Sequence, residues 1–293
     1  MKQYSYFPGC SLKSTAVAYD ESVRAISASL GIELIELEDW NCCGTTAYSS
    51  IDRLESIAIP CRDLALAEKK GLDLVTPCTA CFRTFERVNS HLKLYPFLKP
   101  KVDKILAAAG LEYHGQVRVR HLVDVLINDV GVEAIASKVV NPLHGLRVAA
   151  YYGCLLVRPR VAFDDPENPH SLDGLLKSLG AEVVPFPAKS RCCGGSLVIS
   201  NVDLALGLIQ RILESAHSNG AECIVTACPL CQLNLDAYQG MVNSKFGTSY
   251  RLPIMFLSQL LGTALGIKPK ELGFDRGIVS SEKVLAGHLQ ETV

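Results

Sequence analysis

Apolar positions along the chain switch repeatedly between two periods. Short runs with strand character, at Gln3 to Phe7, Ile32 to Leu37 and Asp73 to Thr76, are separated by longer stretches where hydrophobic residues recur every three or four positions. Tyr19, Val23, Ile26 and Leu30 form one such helical stripe, and Gly31 just beyond it supplies a stop before the next strand. The alternation returns later in the chain, with strands expected at Arg147 to Tyr152, Glu182 to Phe186 and Cys223 to Ala227. Leu172, Leu175, Leu176 and Leu179 there share one helix face. Strand then helix, repeated, predicts an α/β fold of two pseudo-symmetric halves, each a small Rossmann-like, mostly parallel sheet with helices. Turn formers at Asn141-Pro142-Leu143-His144-Gly145 separate the two. The expected halves are residues 1–144 and 145–293, the second carrying a C-terminal tail.

Cysteine makes the duplication explicit. Ten of the twelve cysteines form two copies of one pattern: a single Cys, a vicinal pair, then CxxC. In the first half these are Cys10, Cys42-Cys43 and Cys78-x-x-Cys81; in the second, Cys154, Cys192-Cys193 and Cys228-x-x-Cys231. The flanks repeat too. Gly44 and Gly194 follow the vicinal pairs, Val75-Thr76 matches Val225-Thr226, and Ser29-Leu30-Gly31 matches Ser178-Leu179-Gly180.

In each half the three cysteine elements come at or just after the C-terminal ends of three expected strands, the rim where open α/β sheets place their ligands. A helix is expected to begin at or just after each CxxC, where its amides and dipole favour the thiolate form. Structural zinc takes four ligands, usually as two CxxC-like pairs, whereas each half offers one CxxC and five cysteines. The closely spaced runs of an ordinary ferredoxin module are absent. Five convergent thiolates suggest a less regular multi-iron cluster at each set of strand ends.

These two motifs, together with the tail from Leu252-Pro253 through Ser258-Gln259-Leu260-Leu261-Gly262, resemble the disulfide-cleaving, B-type subunit of heterodisulfide reductase, a CCG-domain iron-sulfur family, over nearly the whole chain. The resemblance implies one noncubane 4Fe-4S cluster on Cys10, Cys42, Cys43, Cys78 and Cys81, and another on Cys154, Cys192, Cys193, Cys228 and Cys231. It implies an oxidoreductase acting on sulfur groups, the catalytic subunit of a complex that reduces, or reversibly forms, a disulfide such as CoM-S-S-CoB between the two clusters. Catalysis then belongs to the clusters, and no protein acid or base is assigned. Two one-electron carriers facing one pocket match the two electrons that a disulfide takes up. The implied donors are a small iron-sulfur protein like the family's C-type subunit and a flavoprotein like its A-type subunit, with a hydrogenase or formate dehydrogenase open as the further source, in methanogenesis or sulfur metabolism. Gly44 and Leu155 stand where methanogen members often carry a residue other than Gly and a His, which leaves the substrate disulfide and the direction open. Two other functions remain alternatives: a CCG-type electron-transfer subunit in lactate or glycolate oxidation or in a thiol-dependent fumarate reductase, and a noncatalytic metal-bound docking scaffold.

Composition narrows the setting. The 29 Lys and Arg nearly cancel the 30 Asp and Glu, with no long run of like charge, so no nucleic-acid or anionic-membrane footprint is expected. The most apolar late segment, residues 254–267, is too short to span a bilayer, and the N-terminus lacks a secretory pattern. Cysteine-rich composition without disulfide logic fits a cytoplasmic protein that holds metal. No GxGxxG or Walker A sequence marks a flavin or nucleotide site. Cys61 and Cys223 lie outside the repeat and read as small core residues. Gly9 and Gly153, each just before a single Cys, serve either a turn or a close backbone approach. Pro77 and Pro229 are expected to shape the CxxC loops. His121 reads as a surface or helix-end residue rather than a ligand, and Arg118 and Arg120 as solvated strand-face residues.

Overall fold

The computed structural model describes residues 1–45, 48–159 and 161–288. It contains two four-stranded sheets, parallel throughout. The first comprises β1 (Lys2–Tyr6), β2 (Ile32–Glu36), β3 (Leu74–Thr76) and β4 (Val119–His121), in the order β2-β1-β3-β4. The second comprises β5 (Arg147–Tyr151), β6 (Glu182–Val183), β7 (Cys223–Thr226) and β8 (Ile254–Phe256), in the order β6-β5-β7-β8. Each chain half thus runs outward from its first strand to one neighbour, then returns to the other side. That reversal opens a crevice at the carboxyl end of the first strand, the topological switch point of doubly wound sheets.

The helices that matter for the site are α1 (Val17–Ser29), α2 (Glu55–Lys70), α3 (Thr79–Leu94), α4 (Leu122–Val125), α5 (Ser171–Ser178), α6 (Val202–Ser218), α7 (Pro229–Ala237) and α8 (Leu257–Ala264). Their expected stripes are buried: Tyr19, Val23 and Ile26 on α1, and Leu172, Leu175 and Leu176 on α5. Gly31 follows α1 with a left-handed φ of 74°. The sequence pattern marks β4 only through the alternation of Arg118 and Arg120 and does not mark β8. The apolar segment 254–267 splits into β8 and α8, a strand turning directly into a helix. β6 is shorter than the expected run to Phe186. Val184 N–H still donates to Val148 at 3.0 Å, but Pro185 has no N–H with which to continue the ladder.

One hydrophobic core lies under each sheet, and a third spans both halves, joining Tyr6, Tyr19, Val23 and Ile26 to Val148, Phe256 and Leu260. At this seam α1 packs against α8. The rings of Tyr19 and Phe256 stack with centroids 4.1 Å apart and planes 3° from parallel. The Ser22 and Ser258 hydroxyls pair at 2.7 Å. Shared burial of this kind makes the two halves one packed body.

Arg120 departs from the solvated strand-face position expected for it. Only 2% of its surface is exposed, and its guanidinium lies 2.6 Å from Asp124 and 2.5 Å from Asp129, with Tyr4 also hydrogen-bonded to Asp129. A buried guanidinium is stable only when paired, and the carboxylates reach it from the helical segment after β4. Arg118, two residues earlier, is exposed as expected.

Candidate cysteine-lined redox sites

Each single Cys follows the central strand of its sheet. After β1 the chain turns through Gly9, whose φ is +77°, and presents Cys10; after β5 it turns through Gly153, φ +63°, and presents Cys154. A Cβ on Gly9 would lie 3.1 Å from Cys81 Sγ, and one on Gly153 would lie 3.0 Å from Cys231 Sγ. Of the two roles left open for these glycines, close approach is realised: backbone passes where only glycine leaves room for a thiol.

The CxxC elements sit at helix starts. Cys78 is the N-cap of α3 and Cys228 that of α7, both with extended backbone and neither with a side-chain cap, so the first-turn amides remain available to the sulfurs. Cys81 and Cys231 occupy the first turns. Pro229 fills the opening position of α7, where its missing N–H costs nothing.

The loops after β2 and β6 bring the vicinal pairs across. Cys42 Sγ lies 3.5 Å from Cys10 Sγ, and Cys43 Sγ lies 3.2 Å from Cys81 Sγ. In the second half Cys193 Sγ lies 3.6 Å from Cys231 Sγ, and Cys192 pairs with Cys154. All twelve cysteines are free thiols. Each group of five is layered. Cys10 and Cys42 are exposed above buried Cys43, Cys78 and Cys81; Cys192 is exposed and Cys154 half-buried above buried Cys193, Cys228 and Cys231. Among the described residues, no three His, Cys, Asp or Glu side chains close on a single ion-sized point. The sulfurs approach in pairs.

Crowding redistributes the thiol protons. Hydrogen bonding with Cys10 and then Cys43 lowers the Cys42 thiol to about 2, while the same contacts raise Cys10 and Cys43. Cys192 falls to about 6, chiefly through Cys154, with Gly194 N–H donating to its sulfur at 3.4 Å. Cys228 falls to about 7 through Cys231, then through the Thr79 side chain of the other half and the amides of Cys231 and Leu230. One thiolate at the mouth of each group is therefore available to a Lewis acid near neutral pH.

Cys61 and Cys223 take no part. Cys61 is wholly buried on α2 and raised to about 12 by burial; Cys223 begins β7, equally buried, and is also raised by burial. Sequence reasoning missed three residues that position the site. Asp63 on α2 is fully buried, accepts Asn41 N–H at 2.9 Å beside Cys42, and is pushed up to about 8, chiefly by burial. Tyr19 donates its hydroxyl to Pro77 O at 3.1 Å, just ahead of Cys78. His121 is a helix-end residue, as expected, but not a surface one. It is completely buried, and its Nε2 lies 2.9 Å from the same Pro77 carbonyl. Asp63 interrupts an apolar helix face, and that break was the one signal available; Tyr19 and His121 carried none.

A cleft of about 490 Å³ lies at the seam of the two halves, with Thr45, Arg83, Glu86, Arg87, Leu155 and Arg158 among the residues on its walls. Thr45 lies two residues after the first vicinal pair and Leu155 follows the second single Cys, so the cleft is walled by loops that carry cysteines of both halves. Arg83 spans the seam, its Nε donating to Leu155 O at 2.9 Å.

Comparison with known proteins gives a consistent picture. Residues 4–86 and 148–236 each match the CCG family, described as a cysteine-rich domain. The chain is 37% identical to the 8-methylmenaquinol:fumarate reductase membrane anchor subunit of Wolinella succinogenes, covering 97% of this chain and 99% of that one. It is 32% identical to the B-type subunit of the Ferredoxin/F(420)H(2)-dependent CoB-CoM heterodisulfide reductase of Methanosarcina acetivorans, covering 98% and 97% respectively. Lactate utilization protein A of Bacillus pumilus is 25% identical over 70% of this chain and 79% of its own length. Among solved structures, a hypothetical protein from Helicobacter pylori superposes with a TM-score of 0.77 at 15% identity over 95% of this chain, which spans about half (52%) of that one. That likeness establishes the two-half α/β fold.

Proposed function

This chain belongs to the cysteine-rich CCG family, together with the B-type subunit of heterodisulfide reductase, and on that footing we propose that it is the iron-sulfur subunit of a reductase complex that works on a small thiol or disulfide. One noncubane 4Fe-4S cluster is held by Cys10, Cys42, Cys43, Cys78 and Cys81, and a second by Cys154, Cys192, Cys193, Cys228 and Cys231, in halves dividing at residue 144. The observation that carries the reading is the duplicated layering of five thiols at a switch point, three buried beneath two at the mouth. The donor set fits such a group. It is all sulfur, it exceeds the four ligands of a single zinc, and Gly9 and Gly153 leave free the space that a Cβ would take.

When bound, the clusters supply one-electron transfer and Lewis acidity towards sulfur. The protein's residues do the rest. Amides at the starts of α3 and α7 stabilise thiolate charge, and Asp63 fixes Asn41 and with it the approach of Cys42. Arg83, Arg87 and Arg158, against the single carboxylate of Glu86, line the cleft beside the cysteine-bearing loops and favour a substrate bearing anionic groups. Electrons arrive from a C-type iron-sulfur protein served by an A-type flavoprotein, in a cytoplasmic complex. Among the described residues, no helix is long and apolar enough to cross a membrane.

A second reading is favoured by the 37% identity to one component of 8-methylmenaquinol:fumarate reductase: the same two clusters pass electrons within a fumarate reductase, with no disulfide as substrate. Electron paramagnetic resonance on the anaerobic, oxidised protein separates the two. Addition of small thiols produces a new paramagnetic signal in the first reading. If every thiol leaves the spectrum unchanged while a menaquinol reduces the clusters, the second replaces it.

A further inference from the structure

His121 occupies an unusual place in the seam. It ends β4 opposite Thr76 of β3 and caps α4, where its Nδ1 accepts the Val123 N–H at 3.2 Å. A ring nitrogen that accepts carries no proton, so in the neutral imidazole the proton sits on Nε2. Nε2 faces the Pro77 carbonyl at 2.9 Å, and the Ala227 backbone lies close enough to share that one N–H. Pro77 immediately precedes Cys78, and Ala227 immediately precedes Cys228. One buried ring therefore touches the backbone ahead of the CxxC turn in both halves.

The surrounding contacts reinforce this link. Tyr19 donates to the same Pro77 carbonyl and is stacked on Phe256, the last residue of β8. His121 ends the fourth strand of the first sheet as Phe256 ends that of the second, so equivalent positions of the duplicated fold meet the seam by different means: a hydrogen bond in one half and a stacked ring in the other. Thr79, next to Cys78, bonds across to Cys228.

We propose that His121 is a positioning residue that holds the two CxxC turns in one fixed relation, so that the cysteine groups of the two halves behave as a coupled pair. The argument rests on the reading that Cys78 and Cys228 hold clusters. A hydrogen bond to a carbonyl one residue from a ligand fixes that ligand's peptide plane, and ligand orientation and hydrogen bonding tune a metal centre. Because the ring touches both turns, a change at His121 is felt at both sites, whereas a change at a ligand or loop of one half is felt at one.

Two substitutions divide the functions of the ring. In His121→Asn the side-chain oxygen keeps the cap on Val123, but the shorter amide does not reach Pro77. In His121→Gln the terminal NH₂ extends to the position of Nε2 and restores the donor. The full chain is purified anaerobically with each substitution, and iron content, paramagnetic resonance spectra and potentiometric midpoints are recorded. The wild-type protein serves as the control for the underlying reading; if it lacks two clusters, that reading fails first, whatever the variants do. With two clusters present, His121→Asn is expected to retain its iron while both cluster signals and both midpoints move together, and His121→Gln to return them towards wild type. Signals that stay unchanged in His121→Asn, or a shift confined to one cluster, overturn the proposal. Should His121→Asn fail to fold, His121→Gln alone decides: folding with wild-type spectra and midpoints, or with both clusters displaced together, supports the proposal, and displacement of one cluster alone overturns it.

Discussion

Gly153 and Cys231 are held so closely that a Cβ on the glycine would stand 3.0 Å from the sulfur, and Gly9 and Cys81 repeat the relationship at 3.1 Å in the other half. Both glycines have positive φ, so alanine brings a steric clash together with backbone strain of about 1 to 2 kcal/mol. Gly153→Ala is expected to abolish the second cluster's signal and about halve the iron content, with the first cluster intact; Gly9→Ala does the converse. Iron analysis alongside paramagnetic resonance checks both.

The ligand assignment separates Cys78 from Cys61, which are equally cysteines and equally buried. Cys78→Ser should degrade the first-half cluster. Cys61→Ser should keep both clusters and cost about 1 to 3 kcal/mol of stability, because it introduces a hydroxyl into apolar surroundings. Iron content and urea unfolding of the two variants distinguish the roles.

Arg120 tests the buried ion network under the first sheet. Arg120→Met removes the guanidinium from Asp124 and Asp129 and leaves both carboxylates in a poorly solvated place. The expected loss is about 3 kcal/mol, at the low end for a broken buried pair because Lys2 and Tyr4 still reach Asp129. A lowered urea midpoint with unchanged cluster spectra is the predicted result.

His121 also sets a pH dependence. Burial lowers its pKa from the usual value to about 4, with the Pro77 and Ala227 backbone bonds opposing. The unfolded chain takes up a proton below about pH 6.5 that the folded chain refuses until about pH 4. The stability tied to neutral His121 is therefore full above pH 6.5 and lost as pH falls towards 4, with a slope of up to about 1.4 kcal/mol per pH unit. Asp63, raised to about 8, works in the opposite sense, since its carboxyl is more readily protonated in the folded chain. Comparing wild type with His121→Gln across this range isolates the histidine contribution: the wild-type curve should fall more steeply.

Much of the fold was legible because the relevant signals are local. The period change from strand to helix, the stop at Gly31 and the repeated cysteine flanks each depend on a few adjacent residues. β8 was hidden because it is three residues long and turns at once into a helix, which leaves no period to read, and β4, equally short, showed only as the alternation of Arg118 and Arg120. The cysteine groups were visible as a pattern, but their layering into mouth and floor depends on how the loops after β2 and β6 fold back. Arg120 read as solvated because alternation alone does not reveal the carboxylates that come from beyond the strand. His121 and Tyr19 act through backbone atoms of distant segments, and neither spacing nor residue type carries that information; Asp63 showed only as a break in an apolar helix face.

The central claim is that ten cysteines hold two separate iron-sulfur clusters, one in each half. It is tested most directly by measuring iron, acid-labile sulfide and zinc in the anaerobically purified full chain, together with its Mössbauer spectrum. The account predicts a brown protein with about eight irons and as many sulfides per chain, in two spectroscopically distinct clusters. A colourless protein with zinc, or with cystines in place of iron, would contradict it.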